Sequence, residues 1–420
     1  MLEKLYARRR FGIRPGVDRV RLLLERLGNP EQSFRSIHVV GTNGKGSTSA
    51  FLSSILTTAG QRTAQFTSPH LINFTERFRI DGRQIPSQRL EPLLAAVLAR
   101  APEDATFFEI VTVLAALYFF EEKVGIAVIE AGMGGRSDAT AVLPGVMTVI
   151  TPISLDHCDY LGTTTEKIAA EKAGIAEAGT PVIISHQTAA VQKTIVDCLQ
   201  KQHPRLIWAG TDFSSHWNRE GTLDYRGIRT VLAQLSPGIP GRYQAENAAL
   251  ALAAAETLTT GGIYLPDSAL RNGISSAFWP GRMETVPGNP PLLLDGAHNR
   301  AGSQALAEAL TEYRYRKLHL VLGIMADKDV SEIVSALAPL AATCYCVSPA
   351  IERAMNDVEL AAIIADLGIP AKACGTVAHG IQSAQHAAES SDLILVCGSL
   401  FTVGEAKAWL AGADFDGIRG

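Results

Sequence analysis

Short apolar runs alternate along the chain with longer segments of helical period. Residues 36–40, 125–130, 146–151 and 181–185 are rich in β-branched side chains and have the pattern of buried strands. Strands separated in this way by helices are typical of parallel sheets covered on both faces. The pattern therefore predicts an α/β fold with a mostly parallel sheet.

Helices are predicted between these strands from apolar spacing and from capping residues. Residues 47–59 follow the first strand, residues 106–122 are apolar on nearly every face, and residues 164–174 run from a threonine to a glycine. Residues 244–257 form an alanine-rich helical segment. Residues 208–225 mix polar and aromatic side chains, which predicts a small antiparallel excursion.

Two proline-rich stretches, residues 278–282 and 287–291, indicate a domain edge. The alternation restarts beyond it, with strands predicted at 292–295, 318–323 and 393–397 and a helix at 302–313. We therefore predict two domains. They are an N-terminal domain over residues 1–284, built on a mostly parallel sheet, and a smaller C-terminal Rossmann-like α/β domain over residues 285–420.

Composition narrows the possible partners of the chain. Its 420 residues are 47% hydrophobic, and the formal net charge of −4 argues against nucleic acid or an anionic membrane as the main partner. No apolar run reaches the roughly 18–20 residues that span a bilayer. The 6 cysteines are too few for a disulfide framework in a chain of this length. We expect a cytoplasmic monomer.

A glycine-rich segment after the first predicted strand has the composition of a phosphate-binding loop. Its glycines let the backbone approach phosphate oxygens, and the following helix offers free N–H groups. Lys45 can reach the β- and γ-phosphates, and Ser47 or Thr48 can ligate Mg²⁺. The standard P-loop pattern is not met, because Val39 replaces its first glycine and Gly46 follows the lysine. The predicted ATP-binding residues here are Gly41, Thr42, Asn43, Gly44, Lys45, Gly46, Ser47 and Thr48.

Further candidate ligands follow other predicted strands. Glu130 ends one strand, and Asp156 and His157 follow the next, so their side chains are expected at the carboxyl edge of the sheet, where ligands bind. Oxygen ligands suit Mg²⁺, whereas a histidine is less usual. Spacing alone assigns Lys172 to a solvated helix end. A second glycine run, residues 132–135, fails the dinucleotide-binding pattern at Ser137.

Many ordered motifs make the chain resemble the folylpolyglutamate synthase and dihydrofolate synthase group of the Mur ligase superfamily. The resemblance runs through most of the chain, and the Ser-Pro-His and Trp-Pro-Gly-Arg elements favour the folate branch over the muramyl-peptide branch. Besides the phosphate loop, the motifs are Thr67-Ser68-Pro69-His70-Leu71, Thr75-Glu76-Arg77, Phe107-Phe108-Glu109, Gly132-Met133-Gly134-Gly135-Arg136-Ser137-Asp138, Asp156-His157, Glu171-Lys172-Ala173-Gly174, Trp279-Pro280-Gly281-Arg282, Asp295-Gly296-Ala297-His298-Asn299, Asp327-Lys328-Asp329 and Gly398-Ser399-Leu400.

The resemblance implies that residues 1–284 form a P-loop-type ATPase domain and that the active site lies between the two domains, with ATP and two Mg²⁺ ions. It makes Ser47, Glu130 and His157 metal ligands and Lys45 the contact of the γ-phosphate. It also makes Lys172 a carbamylated lysine that helps to hold the second ion.

Other roles follow from the same resemblance. Lys45, Lys172 and His298 would be the catalytic residues. The expected nucleotide contacts outside the loop are Gln244, Asn247, Arg282 and Asp295. The expected folate or glutamate contacts are Ser68, Arg77, Asp138, His298 and Ser399. The chain departs from the usual family residues at Ala141, Tyr243 and Arg300.

The implied reaction is ATP-dependent joining of L-glutamate to dihydropteroate or to folate glutamates through an acyl phosphate, with release of ADP and phosphate. A Mur ligase acting on a UDP-muramyl acceptor is the nearest alternative. A nucleotide-binding regulator without activity and a P-loop kinase are two others. The co-occurrence of Lys45, Glu130, His157 and Lys172 disfavours the regulator, and the non-standard loop disfavours the kinase.

Overall fold

The computed structural model describes residues 1–8, 12, 16–413 and 415. Its N-terminal half contains the following elements: α1 Leu2–Tyr6, α2 Asp18–Arg26, β1 Arg35–Val40, α3 Lys45–Thr58, β2 Thr63–Phe66, β3 Phe78–Ile80, β4 Arg83–Gln84, α4 Ser87–Arg100, α5 Phe107–Glu121, β5 Ile126–Glu130, β6 Gly145–Ile150, α6 Cys158–Leu161, α7 Thr165–Ala173, β7 Val182–Ile184, α8 Ala189–Leu199, β8 Leu206–Trp208, β9 Ser214–Trp217, β10 Leu223–Arg226, β11 Val231–Leu235, α9 Gln244–Thr260 and α10 Asp267–Ser276.

The large sheet of this half has the strand order β4-β3-β2-β5-β1-β6-β7-β8. β1 lies between β5 and β6 and is parallel to both, whereas β3 and β4 form an antiparallel edge. The carboxyl ends of β5, β1 and β6 therefore meet at one edge of the sheet. This arrangement brings the glycine loop, Glu130 and the segment after β6 together, as the sequence predicted.

Both faces of this sheet are buried because helices pack on each side. In β5, Val128 belongs to the apolar cluster that contains Leu52 of α3 and Leu250 of α9. Its neighbour Ile129 points to the opposite face and joins the cluster that contains Phe119 of α5. The alternation follows from the period of two in a strand. It explains why these strands are continuous apolar runs.

The predicted antiparallel excursion is a three-stranded sheet in the order β11-β10-β9. It extends ten residues beyond the predicted segment, to Leu235. Glu256 of α9 holds its hairpin, because its carboxylate accepts bonds from the Tyr225 hydroxyl at 2.9 Å and from the backbone N–H groups of Ile228 and Thr230, each at 2.8 Å.

The C-terminal half contains a second α/β sheet in the order β12-β13-β17-β14-β15-β16, parallel except for the β12–β13 pair. The predicted α/β class of both halves is confirmed, and β12 spans the predicted 284/285 boundary, which stays a prediction. No helix among the described residues has the length and apolar composition needed to cross a bilayer. The elements of this half are β12 Glu284–Val286, β13 Leu292–Leu294, α11 Arg300–Leu310, β14 Leu318–Leu322, α12 Val330–Leu337, β15 Thr343–Cys346, α13 Asp357–Asp366, β16 Ala371–Ala373, α14 Val377–Ala387, β17 Leu393–Cys397 and α15 Leu400–Leu410.

Candidate active site

The glycine loop joins the end of β1 to the start of α3 and is sterically restricted to glycine at two positions. Gly41 has φ 151° and Gly44 has φ 85°, both in the region that glycine favours. A Cβ atom on Gly41 would lie 1.9 Å from Thr151 Oγ1, and one on Gly44 would lie 2.2 Å from Asn247 Oδ1. The loop is therefore pressed against the segment after β6 and against α9.

The polar residues of the loop are oriented by short contacts. Lys45 is the first residue of α3, two residues earlier than predicted, and its Nζ donates to the carbonyl of Thr42 at 3.0 Å. The Thr42 hydroxyl donates to the carbonyl of Ser154 at 3.0 Å. Ser47 lies in the first turn of α3 and is 2% exposed. The helix start thus gathers a cation, a hydroxyl and free N–H groups.

Two amide side chains at the start of α9 border the loop. Asn247 Nδ2 donates to Gln244 Oε1 at 2.8 Å, and the hydroxyl of Thr48 donates to Asn247 Oδ1 at 3.4 Å. Gln244 Nε2 is buried and has no hydrogen-bond partner within the described residues. A buried donor without a partner is costly, so this group fits contact with a bound molecule.

Glu130 ends β5 beside the loop, with its carboxylate buried. Its Oε2 accepts a bond from the backbone N–H of Ser68 at 3.3 Å. Burial raises the pKa of Glu130 to about 7, although the charges of Lys45 and Arg282 act in the opposite direction. A divalent cation would offset the cost of burying this carboxylate. The donor chemistry therefore fits Mg²⁺.

Lys172 lies inside the protein, which corrects its assignment to a solvated helix end. It is 4% exposed, and its Nζ donates to the carbonyl of Gly41 at 2.7 Å. Burial, together with the charge of Lys45, lowers the pKa of Lys172 to about 7. Spacing along the chain does not reveal this burial, because the last turn of α7 packs against the edge of the sheet. A substantial fraction of the amine is neutral near pH 7.

The second glycine run packs against α7, which accounts for its glycines. A Cβ atom on Gly135 would lie 2.6 Å from the carbonyl oxygens of both Glu171 and Lys172. The Glu171 carboxylate accepts a bond from the Ser137 N–H at 2.9 Å. This run therefore holds the helix that carries Lys172.

Asp156 connects the two halves of the protein. Its Oδ1 accepts a bond from Lys328 Nζ at 2.6 Å, and its Oδ2 lies 3.7 Å from His298 Nε2. Burial alone would raise the pKa of Asp156, but the imidazole of His298 and the ammonium of Lys328 hold it below its usual range. The sequence placed Asp156 at the carboxyl edge of the sheet as a candidate ligand, but it did not reveal these partners, which lie more than 140 residues away and are marked by no local pattern.

His157 follows Asp156 in the left-handed conformation, with φ 52°, and starts the short helix α6 with its side chain exposed. Within the residues that the structure describes, no three His, Cys, Asp or Glu side chains form a group that could hold a metal ion. The predicted set includes a serine and two such residues. The roles of Ser47, Glu130 and His157 as metal ligands stay predictions.

A pair of amides makes a second connection between the halves. Asn299 Nδ2 donates to Asn43 Oδ1 at 3.0 Å, and Asn43 Nδ2 lies 3.3 Å from Asn299 Oδ1. Asn299 also caps α11, because its Oδ1 accepts the Gly302 N–H. Next to it, His298 Nδ1 lies 2.9 Å from the carbonyl of Gly296, which leaves Nε2 directed toward Asp156. The phosphate loop therefore contacts the second half directly.

Asp295 is fully engaged by neighbouring groups. Its Oδ2 accepts bonds from the Tyr243 hydroxyl at 2.8 Å and from the Met283 N–H at 2.9 Å, and its Oδ1 accepts the Ala297 N–H at 2.9 Å. Tyr243, one of the departures from the family pattern, thus joins α9 to the second half. A Cβ atom on Gly296 would lie 2.2 Å from Arg282 Nη1, so Arg282 extends along this same turn.

A cleft of about 500 Å³ lies beside the phosphate loop. Ser68, Glu130 and Arg282 line it. Three other predicted contacts do not line it and have partners within the protein: Arg77 donates to His70 Nδ1 at 2.9 Å, Asp138 accepts the Met133 N–H at 2.9 Å, and Ser399 caps α15. The residues that line the cleft are Gly46, Thr67, Ser68, Pro69, His70, Leu71, Glu76, Arg79, Glu130, Trp279, Pro280, Arg282 and Leu400.

Comparison with known proteins explains this arrangement. The Mur ligase middle domain matches residues 39–255, and the Mur ligase glutamate ligase domain matches residues 281–400. The dihydrofolate synthase/folylpolyglutamate synthase of Bacillus subtilis is 37% identical over 361 residues, covering 80% of this chain and 82% of that protein. The chain belongs to this family of Mur ligases. The resemblance drawn from its motifs is confirmed.

Length and structure add to the family comparison. A probable bifunctional folylpolyglutamate synthase/dihydropteroate synthase of Haloferax volcanii is 35% identical and covers 96% of this chain, which spans about half (49%) of that relative. A structure of Escherichia coli FolC in complex with DHPP and ADP has a TM-score of 0.90 at 29% identity, covering 98% of this chain and 97% of that one. A Yersinia pestis family member complexed with AMPPNP and a Mn ion has a TM-score of 0.86 at 30% identity, with 95% and 94% covered. Both structures share the two-domain architecture.

Proposed function

We propose that the chain is an ATP-dependent ligase that joins L-glutamate to dihydropteroate, to folate glutamates or to both, and releases ADP and phosphate. One observation carries the proposal. The phosphate loop, Glu130 and Arg282 meet at a single cleft. Next to it, Lys172 contacts the backbone of the loop, and His298 of the second half reaches Asp156 in the segment after β6. The complex of E. coli FolC with DHPP and ADP supports the folate branch over a muramyl acceptor.

In the first step, the acceptor carboxylate attacks the γ-phosphorus of ATP and forms an acyl phosphate, while the bond from that phosphorus to the β–γ bridging oxygen breaks and ADP leaves. Two anions must approach each other, so groups that reduce their repulsion lower the barrier. Lys45 at the start of α3 and Arg282 at the cleft wall supply positive charge on two sides. The N–H groups of the α3 N-terminus add further donors for the phosphates.

Ser47, Glu130 and His157 are the side chains that we assign to Mg²⁺. A bound magnesium ion would neutralise phosphate charge and orient the transferred group. The Y. pestis relative that holds AMPPNP and a Mn ion supports the use of a divalent metal. The buried carboxylate of Glu130 is the donor on this chain that gains most from such an ion.

We assign a carbamate to Lys172, next to a second ion. Carbamylation requires a neutral amine, whose lone pair attacks CO₂ while the nitrogen loses a proton. The lowered pKa of the buried Lys172 amine supplies that neutral form near pH 7. The product would place a negative charge beside Lys45, where the unmodified ammonium is repelled.

In the second step, the amine of glutamate attacks the acyl carbonyl and phosphate leaves. The Nδ1 of His298 faces the Gly296 carbonyl, so Nε2 is the ring nitrogen that is directed toward Asp156 and the phosphate loop. We place this nitrogen near the incoming glutamate. The Asn43–Asn299 and Asp156–Lys328 contacts hold the halves together, which excludes water from the acyl phosphate.

A product assay tests the proposal directly. Dihydropteroate and tetrahydrofolate are offered separately with ATP, Mg²⁺ and glutamate, and the glutamylated products are identified by mass spectrometry. With ¹⁸O in the acceptor carboxylate, one label should appear in the released phosphate. Unlabelled phosphate, or no amide from either acceptor, contradicts the proposal.

The six cysteines are all free thiols, which supports a cytoplasmic location, and we take a monomer as the working state.

A further inference from the structure

Arg79 lies on the wall of the cleft and has no assigned role in the reaction described above. It is the middle residue of β3, whose neighbours Phe78 and Ile80 are buried on the opposite face. Its guanidinium lies over the ring of Trp279, with 5.9 Å between Cζ and the ring centroid. Trp279 in turn stands against the phosphate loop, since a Cβ atom on Gly46 would lie 2.7 Å from its Nε1. One indole therefore separates Arg79 from the start of α3.

The guanidinium of Arg79 lacks an ionic partner within the described part of the chain. Its Nη1 donates to the Gly82 carbonyl at 3.3 Å, and its Nε is buried with no hydrogen-bond partner in that part. Glu76, the carboxylate whose charge acts on Arg79, accepts bonds from the N–H groups of residues 71–73 at 2.7–3.0 Å. Burial lowers the pKa of Arg79, although a guanidinium stays charged at neutral pH.

A partly buried cation with unused donors in a substrate cleft fits an anionic ligand. Guanidinium groups bind carboxylates in a bidentate geometry and stack on aromatic rings at the same time. Arg79 and Glu130 both line the cleft, and no hydrogen bond or ion pair joins their side chains within the described residues. The guanidinium of Arg79 is therefore available to a group other than the one that reacts beside Glu130.

We infer that Arg79 binds a substrate carboxylate other than the one that is activated. The inference rests on the proposed ligase function. Dihydropteroate carries a single carboxylate, which reacts, so it offers Arg79 no partner of its own. A folate monoglutamate carries a non-reacting α-carboxylate, and the incoming glutamate carries two non-reacting carboxylates. Arg79 therefore contacts only a substrate that carries a non-reacting carboxylate.

Steady-state kinetics of Arg79→Gln, Arg79→Lys and the control Arg83→Gln test this inference. Arg83 lies on the adjacent strand β4 and is exposed, so its charge is removed without touching the cleft. If the α-carboxylate of the acceptor is bound, Arg79→Gln raises the KM for tetrahydrofolate on the order of tenfold or more and leaves the KM for dihydropteroate unchanged. If glutamate is bound, its KM rises by a similar factor with both acceptors. Arg79→Lys restores part of either loss.

Two results overturn the inference. The first is a pair of unchanged KM values, for tetrahydrofolate and for glutamate, in Arg79→Gln. That result would show that Arg79 binds no carboxylate of either substrate. The second is an equal loss of activity in Arg79→Gln and Arg79→Lys, together with a higher KM for ATP and a lower thermal stability. That result would show that Arg79 only holds Trp279 in place.

A binding measurement separates this inference from the proposed function. If the wild-type chain forms no amide, titration calorimetry with tetrahydrofolate and with glutamate, in the presence of a non-hydrolysable ATP analogue, still measures the contact. An increase in Kd for either compound in Arg79→Gln supports the inference without ligase activity. Equal Kd values in wild type and variant for both compounds contradict it.

Discussion

The two halves of the protein differ in how completely their buried polar groups are hydrogen-bonded. On the first half, Glu130 and Lys172 are buried with few partners, and the pKa of each is shifted to about 7. On the second half, Asp295 and Asn299 accept or donate bonds with nearly every polar atom. A buried charge with few partners costs stability, and such charges cluster at sites where a ligand supplies the missing partner. The buried charges that a ligand can complete therefore lie in the first half, whereas the hydrogen bonds of Asp295 and Asn299 position the second half.

The largest effect is expected from removing a charge of the first half. Lys172→Ala should lower kcat/KM on the order of 10²–10³-fold, because an acyl phosphate must form without the group at that position. Added acetate or formate should restore part of the activity by replacing the carbamate. Lys167→Ala, on the exposed face of the same helix, should retain wild-type activity. Equal activity of the two variants would remove Lys172 from the chemistry.

Glu130 should make stability depend on pH. Its folded-state pKa of about 7 is above the ordinary value of 4.5, so the native state holds a proton that the unfolded chain has lost. Without metal or nucleotide, the free energy of unfolding should fall by about 3 kcal/mol as pH rises from 4.5 through 7. The Glu130→Gln variant should lack this decrease. Denaturant titrations of both proteins at several pH values measure the difference, and parallel curves would show that Glu130 ionises normally.

The glycine loop offers a test of steric restriction with an internal control. Gly44 and Gly60 both have positive φ, 85° and 80°, but only Gly44 has an atom within 4 Å of an added Cβ. Gly60→Ala should cost about 1 kcal/mol of stability, from backbone strain alone. Gly44→Ala should cost about 1–3 kcal/mol and also weaken nucleotide binding, since the Asn247 side chain must move. Thermal unfolding and ATP titration separate strain from loss of space.

The smallest effect is expected where the halves meet. Asp156→Asn and Lys328→Met each remove one partner of a contact with an Nζ to Oδ1 distance of 2.6 Å. A double-mutant cycle should give a coupling energy of about 1–3 kcal/mol in kcat/KM, with little change in the Kd for ATP. Strictly additive effects would show that the pair does not hold the second half in place.

Much of the site in the first half was predictable, because residues that follow parallel strands meet at the carboxyl edge of the sheet. Apolar runs located the strands, and the parallel order then brought Glu130 and the glycine loop to one edge of the sheet. Lys172 was misjudged from spacing, since its burial depends on how α7 packs beside residues 132–135. Contacts such as Asp156–Lys328 lie 172 residues apart and leave no local pattern.

The site residues of the second half were less predictable, because their roles also depend on contacts that leave no local pattern in the sequence. Its alternation of strands and helices indicated the fold, but the roles of Asp295 and Ser399 came only from resemblance. The structure shows that both organise their own backbone turns. Residues that position a site through hydrogen bonds to the backbone look like ordinary capping residues in a sequence.

The amide pair of Asn43 and Asn299 has a thermodynamic consequence. Asn43 belongs to the phosphate loop and Asn299 caps α11 of the second half, so a ligand that displaces one of these amides also changes the surroundings of the other. Linkage requires that such influence be reciprocal. If ATP strengthens the binding of glutamate by some factor, glutamate must strengthen the binding of ATP by the same factor. An ordered sequence of substrate addition would then reflect this mutual dependence of the two sites.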